Sequence, residues 1–349
     1  MEDHDPRGRL RAWLLTNQPP TPADAPDAER LIEAAHVQGL GGLLAAQVRE
    51  SVSWSGAPRE RLTECARVGL VRATRQLGLV ARLQDALLRR GLRALPLKGA
   101  ALIERVYDSP AERFMSDVDL LALDDWPTSV RVLEEDGLRL SERAEHAWAF
   151  SDPSSGATVE LHRSVTSCLG LFPLDREGLW ERSVPGCGQV SRLPSAEDLL
   201  VQLALHAAFQ HGLVLSLVQH LDLRRVLERL ALDGVRLATI ARAARAQPAL
   251  DAALLVTTAL VGGPSLQPAT TPRPTSFSRW LMGRLDQPLA FVTPARPALA
   301  RVRWGLAPGQ RLRLIQRTLV PAAASPPASV ISRCFQAGVR VWRLLRHRA

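Results

Sequence analysis

Apolar residues recur at helical spacing through the first 90 positions of the chain. The clearest runs are AERLIEAAHVQGLGGLLAAQVRE and LTECARVGLVRATRQLGLVARLQDALLRRG. Pro19, Pro20 and Pro22 punctuate the early part, and Gly91 reads as the stop of the second long helix. The pattern changes at Leu92. LRALPLKG is a short apolar run ending at glycine, which predicts a strand ending at Gly99 and a helix starting near Ala100 over AALIERVYD. SDVDLLAL reads as a strand. DWPTSVRVLEEDG reads as an amphipathic helix capped by Asp125 and stopped by Gly137. GLRLSE, AWAFSD and ATVELHRS are three further strand segments joined by polar turns. From Ser195 the helical period returns in PSAEDLLVQLALHAAFQHG, with Glu197 and Asp198 suiting a first turn, and it continues to about Gly262.

These shifts divide the chain into an N-terminal helical region (1–90), a core of strands and helices (91–190) and a C-terminal helical region (191–262). A linker rich in Pro, Thr and Ser and a basic amphipathic tail (263–349) follow.

Charge adds one distinction. The 349 residues carry a net +9, but ten arginines and no acid follow residue 300, so the first 300 hold 34 basic and 35 acidic groups. The basicity belongs to the tail. It suits contact with an anionic membrane surface or packing on the chain's own acidic parts, and it does not favour nucleic acid as a partner of the main body. The acidic start lacks a signal-peptide layout, and the apolar stretch 252–262 is far short of the roughly 20 residues that a spanning helix needs. Cys65, Cys168, Cys187 and Cys334 are scattered, as expected of free thiols in a reducing cytoplasm.

The chemistry concentrates around RFMSDVDLLAL. Strand alternation puts Asp117 and Asp119 on one face and Val118 and Leu120 on the other. Adjacent carboxylates repel unless cations lie between them. In ATVELHRS, Glu160 alternates with Val159 and Leu161, so a neighbouring strand would bring a third acid to the same face. Three such carboxylates can hold two Mg²⁺ ions about 4 Å apart, the arrangement used for in-line phosphoryl displacement. Lys98, the only lysine in the chain, precedes Gly99 at the start of a helix, where backbone N–H groups suit a phosphate. Arg113 would serve as a second phosphate clamp or as an orienting partner of the carboxylates. A glycosidase built on Asp117 and Glu160 leaves Lys98, Gly99 and Asp119 without a role and is set aside.

LPLKGAALIERVYDSPAERFMSDVDLLAL with VELHRS downstream resembles the bacterial nucleotidyltransferases of the DNA polymerase β superfamily. It is most similar to the uncharacterised nucleotidyltransferase family with LKGxAL, an arginine before DxDLL, and a later ELH. The abortive-infection toxin nucleotidyltransferases share part of the pattern. The resemblance runs over about residues 30 to 260 and includes HLDLRRVL in the helical half.

It implies an α+β fold, a polymerase β-like core of mixed sheet and flanking helices between two helical regions. It also implies NTP as substrate, two Mg²⁺ ions, and Asp117, Asp119 and Glu160 as metal ligands and catalytic acids. Lys98, Gly99, Ala100, Arg113 and Ser116 would bind the nucleotide, and His162, His206, His211 and Asp222 are candidates for the acceptor side. The superfamily's Gly-Ser pair is Gly99-Ala100 here, and the gap from Gly99 to Asp117 is long. The expected reaction is transfer of a nucleoside monophosphate to an unidentified hydroxyl or phosphate. The alternatives are a toxin-like enzyme acting on tRNA or protein, and a catalytically silent binding module of the same fold.

Overall fold

The computed structural model describes residues 5–167, 170–213 and 215–264. From residue 265 onward the linker and basic tail expected over 263–349, with Cys334, lie outside the described residues, as does Cys168.

Four helices come first: α1 (Pro6–Thr16), α2 (Ala25–Val37), α3 (Gly41–Gln47) and α4 (Gly56–Arg89). Their starts follow local chemistry. Asp5 and Asp24 cap α1 and α2 by accepting from first-turn amides, and a proline sits in the first turn of each. The 34-residue α4 ends before Gly91, whose φ of +71° is the left-handed turn that closes the helix.

A five-stranded mixed sheet follows. Its strands are β1 (Ala94–Pro96), β2 (Val118–Ala122), β3 (Arg139–Arg143), β4 (Ala147–Ser151) and β5 (Thr158–His162), in the order β1-β2-β5-β4-β3. Only β2 and β5 run parallel. Helices α5 (Lys98–Val106) and α6 (Trp126–Glu135) connect the strands, and Asp125 caps α6 through Thr128 N.

After α7 (Arg176–Glu181) and a small ribbon of β6 (Val184–Pro185) with β7 (Arg192–Leu193) come α8 (Ala196–Leu205), α9 (Leu217–Arg229), α10 (Gly234–Ala243) and α11 (Gln247–Val261). Ser195 caps α8 by accepting from Asp198 N. One apolar cluster runs from Leu10 in α1, through the strands, to Val261 in α11. Helix α4 packs on β1, β2 and α6, while α5 packs on β2, α8 and α9. Helix α4 thus grips the sheet at β1 and β2, and the C-terminal helices α8 and α9 reach it through α5, beside the candidate chemistry. Among the described residues no helix is long and apolar enough to cross a membrane.

The start of α5 differs from its sequence expectation. The strand stops at Pro96 and the helix begins at Lys98, so Gly99 lies inside the first turn. Here the glycine serves packing: a Cβ on it would come within 2.7 Å of Met115 Cγ.

Candidate active site

Parallel pairing decides the geometry. Asp119 on β2 is the register partner of Glu160 on β5, so both side chains leave the sheet on one face, and His162, two residues on, shares it. Asp117 sits just before β2 with the same alternation and is half-buried. Val118, Leu120, Val159 and Leu161, at most 1% exposed, anchor the two strands from the other face. Ligand atoms of Asp119, Glu160 and His162 all lie within 4.8 Å of one another, and these residues could hold a metal ion.

Two donors converge on Asp119. Lys98 Nζ and His162 Nε2 each lie 2.7 Å from its Oδ1, and Oδ2 takes no part in either bond. Burial pushes the Asp119 carboxyl up, but Lys98 and His162 outweigh it and hold it well below the usual carboxylate range. Burial pulls Lys98 and His162 down, yet their carboxylate partners raise both above their ordinary values. His162 also lies 3.2 Å from Glu160 Oε2, and this contact lowers Glu160. Asp117 goes the other way. Burial and then repulsion from Asp119 raise it, against a 2.7 Å bond from Ser116 Oγ. Lys98 pairs with a carboxylate here, and its backbone takes a φ of +48°, a conformation costing a non-glycine residue about 1–3 kcal/mol. Leu97, the residue before α5, gives that helix no side-chain cap.

The acids open into a cavity of about 650 Å³ that reaches the C-terminal helices. Lys98, Gly99, Arg113 and Ser116 line it, as do His162, His206 and His211. Two expected residues do not. Ala100 is 1% exposed inside α5, and Asp222 is 2% exposed behind the wall. Asp222 instead holds Arg113 in a two-pronged pair, Nε to Oδ1 at 2.9 Å and Nη2 to Oδ2 at 2.7 Å, and accepts from Tyr107 Oη at 2.6 Å. Arg113 therefore reaches the cavity rim already committed to a carboxylate 109 residues away in sequence.

His206 and His211 are five apart, a spacing that separates them on an α-helix. Between them, over His206–Gln210, the chain widens into a π-turn, and His211 N donates to His206 O at 3.3 Å. The two Nε2 atoms then lie 3.0 Å apart. Burial, with Lys98 and His211 nearby, keeps His206 well below the ordinary histidine value and so neutral at pH 7. The cavity also holds residues that the sequence reading missed, His36, Phe114, His146 and Gln210, and no motif pointed to them.

Residues 24–262 match the family described as uncharacterised nucleotidyltransferase. The chain belongs to this family. It is a nucleotidyltransferase, and the site above lies wholly inside the matched span. Among curated proteins no significant match is found. Among solved structures the chain is similar to the antibiotic-resistance factor ANT(2'')-Ia in solution, at 16% identity and TM-score 0.36, over 50% of this chain and 93% of that one. It is also similar to a crystal structure of ANT(2'')-Ia in complex with adenylyl-2''-tobramycin, at 14% identity and TM-score 0.37, over 49% and 98% of the two chains. A third likeness is to an antigenic nucleotidyltransferase-like protein from Paracoccidioides brasiliensis, at 20% identity and TM-score 0.30, over 51% and 91%.

The nucleotidyltransferase carries a charge conflict at Asp117 that stability can report. A carboxyl whose folded pKa is raised stabilises the fold most below its unfolded pKa, near pH 4, and that contribution is lost as pH rises through the folded value. Asp117→Asn is expected to raise the melting temperature in metal-free buffer at pH 7, with the gain vanishing below about pH 4. A melting temperature unchanged at pH 7 would mean that burial and repulsion together cost the Asp117 carboxylate little.

Proposed function

We propose that this nucleotidyltransferase moves a nucleoside monophosphate from an NTP to an acceptor hydroxyl or phosphate, with two Mg²⁺ ions held by Asp117, Asp119 and Glu160. The observation that carries the reading is the in-register pairing of Asp119 with Glu160 across parallel strands, Asp117 beside them, at the floor of one cavity. The donor set fits the metal: the carboxylate oxygens of Asp119 and Glu160 lie within 4.8 Å of one another and suit a hard cation, and burial, with repulsion from Asp119 after it, raises Asp117 while no cation is there to offset either. Mg²⁺ bound there would supply Lewis-acid neutralisation of the triphosphate and activation of the attacking oxygen.

The chain's own groups do the rest. The uncapped start of α5 faces the cavity at Lys98 and Gly99 and offers backbone N–H groups to phosphate oxygens. Lys98 exchanges Asp119 for the phosphates when nucleotide arrives. His162 keeps Asp119 oriented throughout. The acceptor oxygen loses its proton to Glu160 and bonds to the α-phosphorus. The bond from that phosphorus to the bridging oxygen breaks, and pyrophosphate leaves. His206 and His211 wall the acceptor side, where a neutral imidazole can accept a hydrogen bond from the incoming hydroxyl. The near-neutral charge of the first 300 residues argues against tRNA as the acceptor.

Calorimetric titration with ATP tests the reading. Binding should strengthen with Mg²⁺. Lys98→Met should weaken Mg·ATP binding about 10- to 100-fold, the worth of a charge-assisted hydrogen bond, and Lys98→Arg should weaken it as well, because the planar guanidinium is larger. Unchanged ATP affinity in both variants would reduce Lys98 to a counterion of Asp119.

A further inference from the structure

Phe114 is 50% exposed, yet it lies three residues before Asp117 and lines the cavity. Its neighbour Met115 is buried against Gly99. An apolar ring left in water beside a buried site is a feature to explain, because a mobile loop could fold it away. This loop is not free to do so.

Three consecutive carbonyls are each held by a side chain. Arg113 Nη1 donates to Phe114 O, Gln76 Nε2 donates to Met115 O at 3.4 Å, and Arg72 Nη2 donates to Ser116 O at 2.9 Å. Gln76 and Arg72 come from α4, and Arg113 is itself clamped by Asp222 from α9. The Arg72 guanidinium also sits over the Phe114 ring, 4.7 Å from its centre. The ring is thus backed by a cation and fixed at the mouth of a cavity whose floor is the acid cluster.

We infer that Phe114 is the stacking platform for the base of the incoming nucleotide, with Arg72 as its backing. The inference rests on the nucleotide reading above and deepens it. A rigid aromatic face offers affinity to any base, as stacking does, and more to the larger purines. Phosphates at the start of α5 and a base on Phe114 place the two ends of one nucleotide at two parts of one cavity wall.

The experiment compares two probes on the full chain by calorimetry, ATP and inorganic tripolyphosphate, each with Mg²⁺. Phe114→Ala should weaken ATP binding about tenfold or more, the scale of losing one base–aromatic stack. It should leave tripolyphosphate within about twofold. Phe114→Trp should hold or improve ATP affinity, and Arg72→Ala should fall between wild type and Phe114→Ala. An unaltered ATP affinity in Phe114→Ala overturns the platform. So does an equal loss for both probes, which would mean that the loop has collapsed. If the wild-type chain binds tripolyphosphate but not ATP, the cavity does not admit a nucleoside and the platform is again overturned. If it binds neither probe, the nucleotide reading itself fails.

Discussion

Asp119→Asn is expected to abolish the Mg²⁺ dependence of ATP binding and to lower nucleotidyl transfer, read as pyrophosphate release, by on the order of a thousandfold or more. The substitution keeps the shape and removes the charge that organises the site. Asp119 Oδ1 is the shared acceptor of Lys98 and His162, and both donors hold raised proton affinities because of that carboxylate. With an amide in its place, Lys98 loses its principal counter-charge. Removing one partner of a buried pair costs about 3–5 kcal/mol. The lower end applies here, because the Lys98 side chain keeps 24% exposure and can turn toward water.

The pH sign follows from the lowered carboxyl. A folded pKa below the unfolded one contributes stability that is present above about pH 4 and is lost as pH falls further. Wild type should therefore lose this contribution in acid, and Asp119→Asn should have none to lose. Urea unfolding of the two proteins at pH 7 and pH 3 reads both effects. Asp117→Asn provides the contrast, since neutralising that acid removes the cost of a buried charge and then its repulsion with Asp119 in the metal-free protein. A variant series in which both substitutions destabilise equally would remove the division of labour drawn between the two aspartates.

Much of this site was legible from local pattern. Strand alternation in SDVDLLAL and ATVELHRS placed the acids on one face, and the register of β2 against β5 agrees with it residue by residue. The caps at Asp125 and Ser195 were legible too, since a short polar side chain before an apolar run satisfies first-turn amides in almost any context.

What escaped was set by distance or by a broken period. Nothing local in RFMSDVD announces that Arg113 belongs to Asp222, because the pairing needs α9 folded against the loop. Asp222 was expected at the acceptor side and instead works behind the wall. A helical period of 3.6 sets His206 and His211 on different faces, but the π-turn replaces that period with five-residue closure and brings the rings together. Gly99 was read for phosphate approach, whereas its missing Cβ also admits Met115. The left-handed Lys98 has no sequence signal at all, since only the contacts around it make that backbone tolerable.

Breaking the Arg113–Asp222 pair is expected to cost about 3–5 kcal/mol of stability for either Arg113→Ala or Asp222→Ala. The side chains are 13% and 3% exposed, so neither left-over charge finds much water. The network around them is dense. Tyr107 Oη donates to Asp222, and the Tyr107 ring in turn carries the Arg225 guanidinium 4.3 Å from its centre, while Arg225 pairs with Glu112 at 2.9 Å. Burial and the neighbouring carboxylate push the Tyr107 hydroxyl well above its ordinary value, so it stays a donor at any working pH. Tyr107→Phe should cost about 1.5–3 kcal/mol, a hydrogen bond to a charged group. Arg113→Met with Asp222→Leu should cost less than the sum of the two single alanine variants, because no charge is then left alone. Chemical denaturation of the five proteins measures all of these terms. The same variants separate two roles for Arg113. As a brace between the loop and α9, it loses stability and ATP affinity together when Asp222 is removed, although Asp222 touches no part of the cavity. As a phosphate clamp, Arg113→Ala would lose ATP affinity with little change in stability, and Asp222→Ala would leave the guanidinium free to bind phosphate more tightly. The two-pronged geometry favours the brace, and a rise in ATP affinity for Asp222→Ala would refute it.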